Sequence, residues 1–219
     1  MKKQYVVIGL GRFGTSVAKT LVDQDAEVLV IDANEEKINQ ALSYATHAVQ
    51  ADATDEQALK SLGIRNFDVA CVCLGEIQSS IMAALICKDQ GIDLVLVKAQ
   101  SEVHAKVLYK MGVDKVVFPE RDMGIRVAHN LLSSNILDFI ELSEDYGIAE
   151  LEVHPAWAGQ TLIDVDFRKK YGINIIAIKN ASGSVNVSPL PGDIIMSDDV
   201  LVVIGSEEQI GKLERSGER

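Results

Sequence analysis

The residues of this chain with the clearest chemical potential lie close to its start. Gly9, Gly11 and Gly14 have the spacing G-x-G-x-x-G, after an apolar run and before a segment with helical periodicity. At a strand-to-helix turn, the first glycine permits the tight turn and the second lets the backbone approach a pyrophosphate. The third lets the helix pack closely on the sheet. Unpaired N–H groups at the start of the helix attract phosphate. The motif therefore predicts a nucleotide site.

An acidic residue supports this interpretation. Asp32 lies 18 residues after Gly14, at the end of the next predicted strand. A carboxylate at this place accepts hydrogen bonds from ribose hydroxyls and repels a 2′-phosphate, which argues against NADP. The pattern is typical of adenosine with phosphates, and it leaves NAD(H), ATP, ADP and AMP open. The alternative, in which the glycines serve packing alone, would leave Asp32 without a role.

Two charged residues near this loop each have two interpretations. Arg12 lies inside the loop, where a guanidinium reaches terminal phosphate oxygens in a forked geometry, or is simply solvated. Asp52 ends the third predicted strand, at the edge of the sheet where ligands collect. It is equally suited to cap the following helix.

The sequence predicts no catalytic residue. None of the four histidines stands beside a carboxylate and a substrate-binding arginine, and there is no nucleophile elbow, Walker lysine or metal-ligand cluster. We interpret Cys71, Cys73 and Cys87 as small buried residues. A sensor is therefore favoured over an enzyme. The alternative is an NAD-dependent oxidoreductase, which would need a substrate domain with a positioned acid.

Composition restricts the partners. The net charge of −11 argues against binding to nucleic acid and to an anionic membrane surface. No apolar run reaches the roughly 18 to 20 residues that span a bilayer. We expect a cytosolic protein whose connection to a membrane, if it has one, passes through another protein.

Strands and helices alternate through the first 130 residues, which predicts an α/β fold with a Rossmann-like, doubly wound parallel sheet. One helix is expected over Asp55–Leu62, with Thr54 as its cap. The predicted strands are Tyr5–Leu10, Glu27–Asp32, Ala48–Ala51, Val69–Leu74, Leu94–Lys98 and Lys115–Phe118.

The pattern changes after Leu131–Asn135. Alternating apolar and polar residues, a helix over Leu162–Tyr171 and short strands predict a small α+β C-terminal module. We assign residues 1–134 to a nucleotide-binding domain and 135–219 to a C-terminal ligand-binding module, with a linker at about 135–146.

The whole chain resembles the RCK (regulator of conductance of K+) subunits of Ktr/Trk-type potassium uptake systems, and the KtrA/KtrC type in particular. The similar segments are VIGLGRFG (7–14), SYATHAVQADATDE (43–56), LGIRNFD (62–68), VKAQ (97–100), FPERDMG (118–124), LIDVDFRKKYGINIIAIK (162–179) and DDVLVVIG (198–205).

This resemblance implies a regulatory gating ring. Homodimers would assemble into an octameric ring on the cytoplasmic face of a membrane potassium-translocating subunit. ATP would activate the system, ADP would inactivate it, and some members bind NAD or NADH. A stand-alone nucleotide sensor without a transporter stays open.

The resemblance also implies site residues. Glu120 would hold Mg2+ or another divalent cation beside the γ-phosphate, and Arg12 would act across a dimer contact. The nucleotide-binding residues would be Gly9, Gly11, Arg12, Phe13, Gly14, Asp32, Asn34, Lys37, Asp52, Ala53, Leu74, Gly75 and Lys98.

The C-terminal module resembles one that binds cyclic di-AMP between two copies and thereby closes the system. Arg168 would pair with phosphate, and the apolar residues would contact adenine or else serve ordinary dimer packing. The expected contacts are Ile163, Asp166, Phe167, Arg168, Asn174, Ile175 and Pro191.

Overall fold

The computed structural model describes residues 3–132, 136–143 and 145–216. The chain forms two compact units, Met1–Glu120 and Arg121–Arg219. The assignment of functional domains to 1–134 and 135–219 stays a prediction. Part of the predicted linker is a strand, Ile136–Glu141, while Asn135 and Glu144 lie outside the described residues.

The first unit contains a six-stranded sheet in which every pairing is parallel, as the sequence predicts. The strands are β1 (Gln4–Ile8), β2 (Glu27–Asp32), β3 (His47–Gln50), β4 (Val69–Val72), β5 (Leu94–Lys98) and β6 (Lys115–Val117). Their order, β3-β2-β1-β4-β5-β6, reverses direction between β1 and β4. A doubly wound sheet has its ligand crevice at the carboxyl ends of the strands at such a reversal.

Helices connect these strands. They are α1 (Arg12–Asp23), α2 (Glu35–Ala41), α3 (Glu56–Ser61), α4 (Ile77–Asp89) and α5 (Glu102–Lys110), while α6 (Pro119–Leu132) follows the last strand, β6. Both faces of the sheet are covered, because alternate residues of β1 enter two separate apolar clusters. Val6 and Ile8 belong to one and Val7 to the other, each fully buried. Burial of both faces explains the Val- and Ile-rich strands.

The second unit is a five-stranded antiparallel sheet in the order β10-β9-β11-β8-β7, which confirms the predicted α+β module. Its strands are β7 (Ile136–Glu141), β8 (Tyr146–Glu152), β9 (Asn174–Lys179), β10 (Val185–Asn186) and β11 (Val200–Ser206). Its helices are α7 (Leu162–Val165), α8 (Phe167–Tyr171) and α9 (Glu207–Ser216). Trp157 lies edge-on to Phe167 in the core, with ring centroids 5.1 Å apart.

Two local predictions were wrong. Helix α3 is capped by Asp55 and not by Thr54, because the Asp55 carboxylate accepts hydrogen bonds from the N–H groups of Gln57 and Ala58. The predicted helix Leu162–Tyr171 is two helices. Asp166 lies between them with φ 53°, in the left-handed region, and its carboxylate caps the second helix.

Within the described part of the chain, the helices are all too short or too polar to cross a bilayer.

Candidate nucleotide-binding site

The glycine loop is closed against the sheet by contacts that require glycine at two positions. Gly9 has φ +95°, which favours glycine, and its N–H donates to the carbonyl of Ile31 at 2.7 Å. A Cβ at Gly14 would lie 2.0 Å from the carbonyl oxygen of Gly9. By contrast, a Cβ at Gly11 would meet nothing within 4 Å. Gly9 and Gly14 therefore shape the loop, while Gly11 leaves open space where a phosphate could approach.

Helix α1 presents its amino end at this open space. Gly11 is the N-cap and has no side chain to bond the first N–H groups, and the first turn carries no acidic residue. The first N–H groups of a helix have no partner within the helix, and they carry a partial positive charge. Arg12, the first residue of the helix, is exposed and adds a full positive charge. This arrangement is suited to an anion.

Asp32 is held as an ionised carboxylate at the end of β2. One oxygen, Oδ2, accepts hydrogen bonds from the N–H of Leu10 at 2.7 Å and from Nζ of Lys37 at 3.1 Å. The other, Oδ1, accepts from the N–H of Asn34 at 2.9 Å. Burial raises the pKa of Asp32, but these hydrogen bonds and the Lys37 charge outweigh burial and bring the pKa below its usual value. The carboxylate can therefore accept hydroxyl hydrogen bonds at neutral pH.

A cavity of about 330 Å³ lies beside these groups, at the carboxyl edge of the sheet. It brings together most of the predicted nucleotide-binding residues: Gly9, Gly11, Asp32, Lys37, Asp52, Ala53, Leu74, Gly75 and Lys98. The wall does not include Arg12, Phe13, Gly14 or Asn34. Gly14 serves packing, and Asn34 caps α2 through a hydrogen bond from the N–H of Lys37 at 3.2 Å.

The cavity wall also contains residues that the sequence did not single out: Ile31, Ala33, Cys73 and Ser79. Their positions in the fold could have identified them as cavity residues. Ile31 and Ala33 flank Asp32, Cys73 directly follows β4, and Ser79 lies in the first turn of α4. Each is next to a carboxyl end of a strand or the start of a helix, where ligands bind in this fold.

Asp52 lines the cavity and does not cap a helix. Its Oδ1 accepts hydrogen bonds from the N–H of Thr54 at 2.8 Å and from the Thr54 hydroxyl at 2.7 Å. These bonds lower the pKa of Asp52, the backbone bond most. The capping interpretation of Asp52 is wrong, because Asp55 performs the capping, while the ligand-facing interpretation stays a prediction.

Glu120 is not part of the cavity wall, but it pairs with a wall residue, Lys98. Nζ of Lys98 donates to Oε1 of Glu120 at 2.8 Å, and this bond, together with the charges of Lys98 and Arg12, lowers the pKa of Glu120. Among the described residues, no group of three His, Cys, Asp or Glu side chains could hold a metal. A single carboxylate does fit Mg2+, which commonly binds through one or two carboxylates plus substrate phosphates.

A separate cavity of about 290 Å³, the C-terminal cavity, lies within the C-terminal unit. Leu162, Ile173 and Pro189 line it together with all the residues predicted to contact cyclic di-AMP. Those predicted residues are Ile163, Asp166, Phe167, Arg168, Asn174, Ile175 and Pro191. Nε of Arg168 donates to Oδ1 of Asn174 at 2.8 Å, which holds the guanidinium at the surface. Ile163 is 66% exposed, whereas Phe167 is 4% exposed and mostly occupied with the core.

Known families match both units. The TrkA-N domain matches residues 5–119, more than half of the chain, and the TrkA-C domain matches residues 148–216. The chain is 50% identical to the Ktr system potassium uptake protein C of Bacillus subtilis over 216 residues, covering 98% of this chain and 97% of that protein. The chain belongs to the RCK family of Ktr-type potassium uptake proteins.

Solved structures share the fold of this chain. The GsuK RCK domain superposes on this RCK chain with a TM-score of 0.70 at 20% identity, over the whole chain and 48% of the solved one, which supports the fold. A GsuK structure bound to ADP matches with a TM-score of 0.50 at 27% identity, over 59% of this chain and 34% of that one.

Proposed function

We propose that this RCK chain is a nucleotide-sensing regulatory subunit of a potassium uptake system, and that it acts by binding and not by catalysis. The observation that carries this proposal is the cavity at the sheet reversal. It combines an ionised Asp32 with an unobstructed approach at Gly11 and the amino end of α1. These features match adenosine and phosphate respectively.

ATP and ADP are the ligands that the charges favour. The ribose would bind at Asp32 and the phosphates at Gly11 and Phe13, with the base near Asp52 and Ala53. Arg12 and Glu120 would distinguish the two nucleotides, since Arg12 reaches terminal phosphate and Glu120 would hold Mg2+ against it. A bound divalent cation would neutralise phosphate charge beside the anionic Glu120. NAD and NADH share the adenosine half and stay possible ligands.

Regulation then follows from unequal binding. A γ-phosphate and its cation would connect two subunits through Arg12 of one subunit, in a way that a β-phosphate cannot. ATP and ADP would thus have different affinities for two arrangements of the assembly, and this difference shifts the population between them. ATP would favour the conducting state and ADP the closed one.

Exposed apolar side chains support an assembly of several copies. Helix α4 is apolar around its circumference, so that it buries Ala83, Ala84 and Ile86 in its own unit while Met82 and Leu85 stay exposed. A helix that is apolar on all sides is normally covered on all sides. We infer that a second copy covers this face, and that homodimers assemble further into an octameric ring.

The C-terminal cavity would receive cyclic di-AMP between two copies. Arg168 is an exposed cation in a chain with a net charge of −11, and the nearby Ile163 and Ile175 offer apolar surface for adenine. Binding there would close the system. The partner would be a membrane potassium-translocating subunit of the Ktr/Trk type, which would place this chain at the cytoplasmic face of the membrane. Nucleic acid is not expected as a partner.

Reconstitution tests this proposal. The full-length chain is combined with a Ktr-type membrane subunit in vesicles, and potassium flux is measured with Mg-ATP, with ADP and with cyclic di-AMP. We expect faster flux with ATP than with ADP, and reduced flux with cyclic di-AMP. Nucleotide binding without any effect on flux would support a stand-alone sensor. Turnover of NADH with a substrate would support the oxidoreductase.

A further inference from the structure

Lys37 occupies an unusual position between two cavities. It lines the nucleotide cavity, and it also lines a neighbouring cavity of about 380 Å³ between α1 and α2. The second cavity is polar, with Leu10 as its one apolar wall residue; the other wall residues are Thr15, Lys19, Asn39, Gln40, Ser43 and Tyr44. A lysine side chain that leaves the nucleotide cavity therefore has a polar space to enter.

Lys37 uses acceptor capacity of Asp32 that a ribose would need. The Asp32 carboxylate already accepts from the N–H of Leu10, the N–H of Asn34 and Nζ of Lys37. A carboxylate has about four acceptor positions. With two ribose hydroxyls added, the donors would outnumber the acceptor positions of the carboxylate. Without Lys37, the two backbone N–H groups and the two hydroxyls would match the number of acceptor positions.

The two kinds of donor differ in how easily they move. The backbone N–H groups are fixed by the loop after β1 and by the start of α2. The Lys37 side chain is 43% exposed and can change rotamer at small cost. The mobile donor is the one that a ligand displaces.

We propose that Lys37 competes with ribose for Asp32: it pairs with the carboxylate when no ribose is bound, and it moves toward the neighbouring cavity between α1 and α2 when a ribose with free hydroxyls binds. This inference rests on the proposed nucleotide-binding function. Lys37 would then lower the preference for ligands with ribose hydroxyls. The binding free energy gained from the hydroxyls is reduced by the Lys37–Asp32 pair that they replace.

The test compares two ligands on matched variants of the full-length protein. Affinities for ADP and for 2′,3′-dideoxy-ADP are measured by calorimetric titration, and their ratio is the readout. Loss of an ammonium near the site alters phosphate attraction for both ligands alike, so the ratio removes that effect. In Lys37→Met we expect the preference for ADP over the dideoxy ligand to rise about fivefold, the scale of one exposed charged pair.

Two controls accompany this variant. Lys37→Arg keeps a cation that pairs with Asp32, and its preference ratio should stay close to that of the unmodified protein. Lys19→Met removes the other ammonium of the second cavity, which lies 5.1 Å from the ring centroid of Tyr44. This variant should leave the ratio unchanged.

The outcomes separate the two proposals. An unchanged ratio in Lys37→Met overturns the competition and leaves nucleotide binding intact, and so does an equal rise in Lys19→Met. A reduced ratio shows that Lys37 itself bonds the ribose, which also overturns it. Failure of the unmodified protein to bind ADP overturns the proposed function, and the competition with it.

Discussion

Individual charged residues around the nucleotide cavity have distinct environments. Asp32 is nearly buried and fixed by two backbone N–H groups, while Arg12 is exposed at the first turn of α1. Glu120 is exposed like Arg12, but its carboxylate is held by an ion pair with Lys98. A fixed acid suits the ribose, and an exposed cation suits a terminal phosphate that differs between ligands.

Arg12 is the residue expected to distinguish ATP from ADP. In Arg12→Ala, ATP should bind about tenfold more weakly or worse, while ADP should lose less than about threefold, because a charge-assisted bond to the γ-phosphate is removed. Titration of both nucleotides with Mg2+ measures this. Arg65→Ala, an exposed arginine on the turn before β4, is the matched control. Equal losses for ATP and ADP would remove Arg12 from the γ-phosphate role.

The cysteines should be inert in the native protein. Burial raises the pKa of Cys73 and of Cys87 to about 12, and that of Cys71 to about 11. At pH 8 the thiolate fraction of a thiol with pKa about 12 is roughly one in ten thousand, so alkylation by iodoacetamide should be negligible. Thiols in the unfolded chain ionise near pH 9, whereas the buried thiols stay protonated to about pH 11 or 12. The buried thiols therefore leave stability unchanged below about pH 9, and the free energy of unfolding falls as pH rises above it.

Labelling followed by mass spectrometry measures this, with the unfolded chain in denaturant as the control that should label at all three positions. Rapid labelling of Cys73 in the native state would show that the cavity opens more widely than the structure indicates.

At the scale of elements, the turn from β1 to α1 positions the site. Its two outer glycines are constrained by close contacts, and the middle one is not. The three positions of one motif should therefore respond differently to the same substitution.

Gly14→Ala should destabilise the protein by about 3 kcal/mol, because its Cβ would overlap the Gly9 carbonyl at 2.0 Å and the backbone would have to shift. Gly11→Ala should melt close to the unmodified protein, since nothing lies within 4 Å of the added Cβ, but should bind ADP more weakly. Thermal unfolding and titration on both variants measure this. Unimpaired ADP binding by Gly11→Ala would place the phosphates elsewhere.

Sequence patterns predict these elements well where one feature dominates. Strand β2 ends at Asp32 as expected, because a run of Val, Leu and Ile gives way to charged and polar residues there. The cap of α3 was missed because Thr54 and Asp55 are both capping residues, and only the side-chain direction decides between them. The break at Asp166 was missed because aspartate adopts the left-handed region only occasionally, so an aspartate inside a helical pattern does not by itself indicate a break.

The residue pattern predicted the cavity wall near the glycine motif and Asp32, and the family resemblance added Leu74, Gly75 and Lys98, but neither indicated Cys73 or Ser79. Ser79 and Cys73 come from strands and helices far along the chain, so their proximity to Gly9 depends on the order of strands β1 and β4. The Lys37–Asp32 pair depends on a rotamer, which sequence does not determine.

At the scale of the whole molecule, each unit has its own candidate ligand cavity, so the two ligands should be separable by mutation. Arg168→Ala should weaken the binding of cyclic di-AMP by about tenfold or more, because the cation that pairs with phosphate is lost. The binding of ADP should be unchanged. Lys169→Ala, an exposed neighbour that does not line the cavity, is the control. Parallel loss of both ligands would indicate general destabilisation.

The cavity of the first unit is proposed to bind adenine nucleotides. A competition titration of the purified protein with ATP, ADP, NAD and NADH, at one salt concentration and with Mg2+, tests it most directly. We expect tight binding of ATP and ADP, each displacing the other, and weaker binding of the dinucleotides. Tight NADH binding with negligible ATP binding would contradict the account and favour an oxidoreductase.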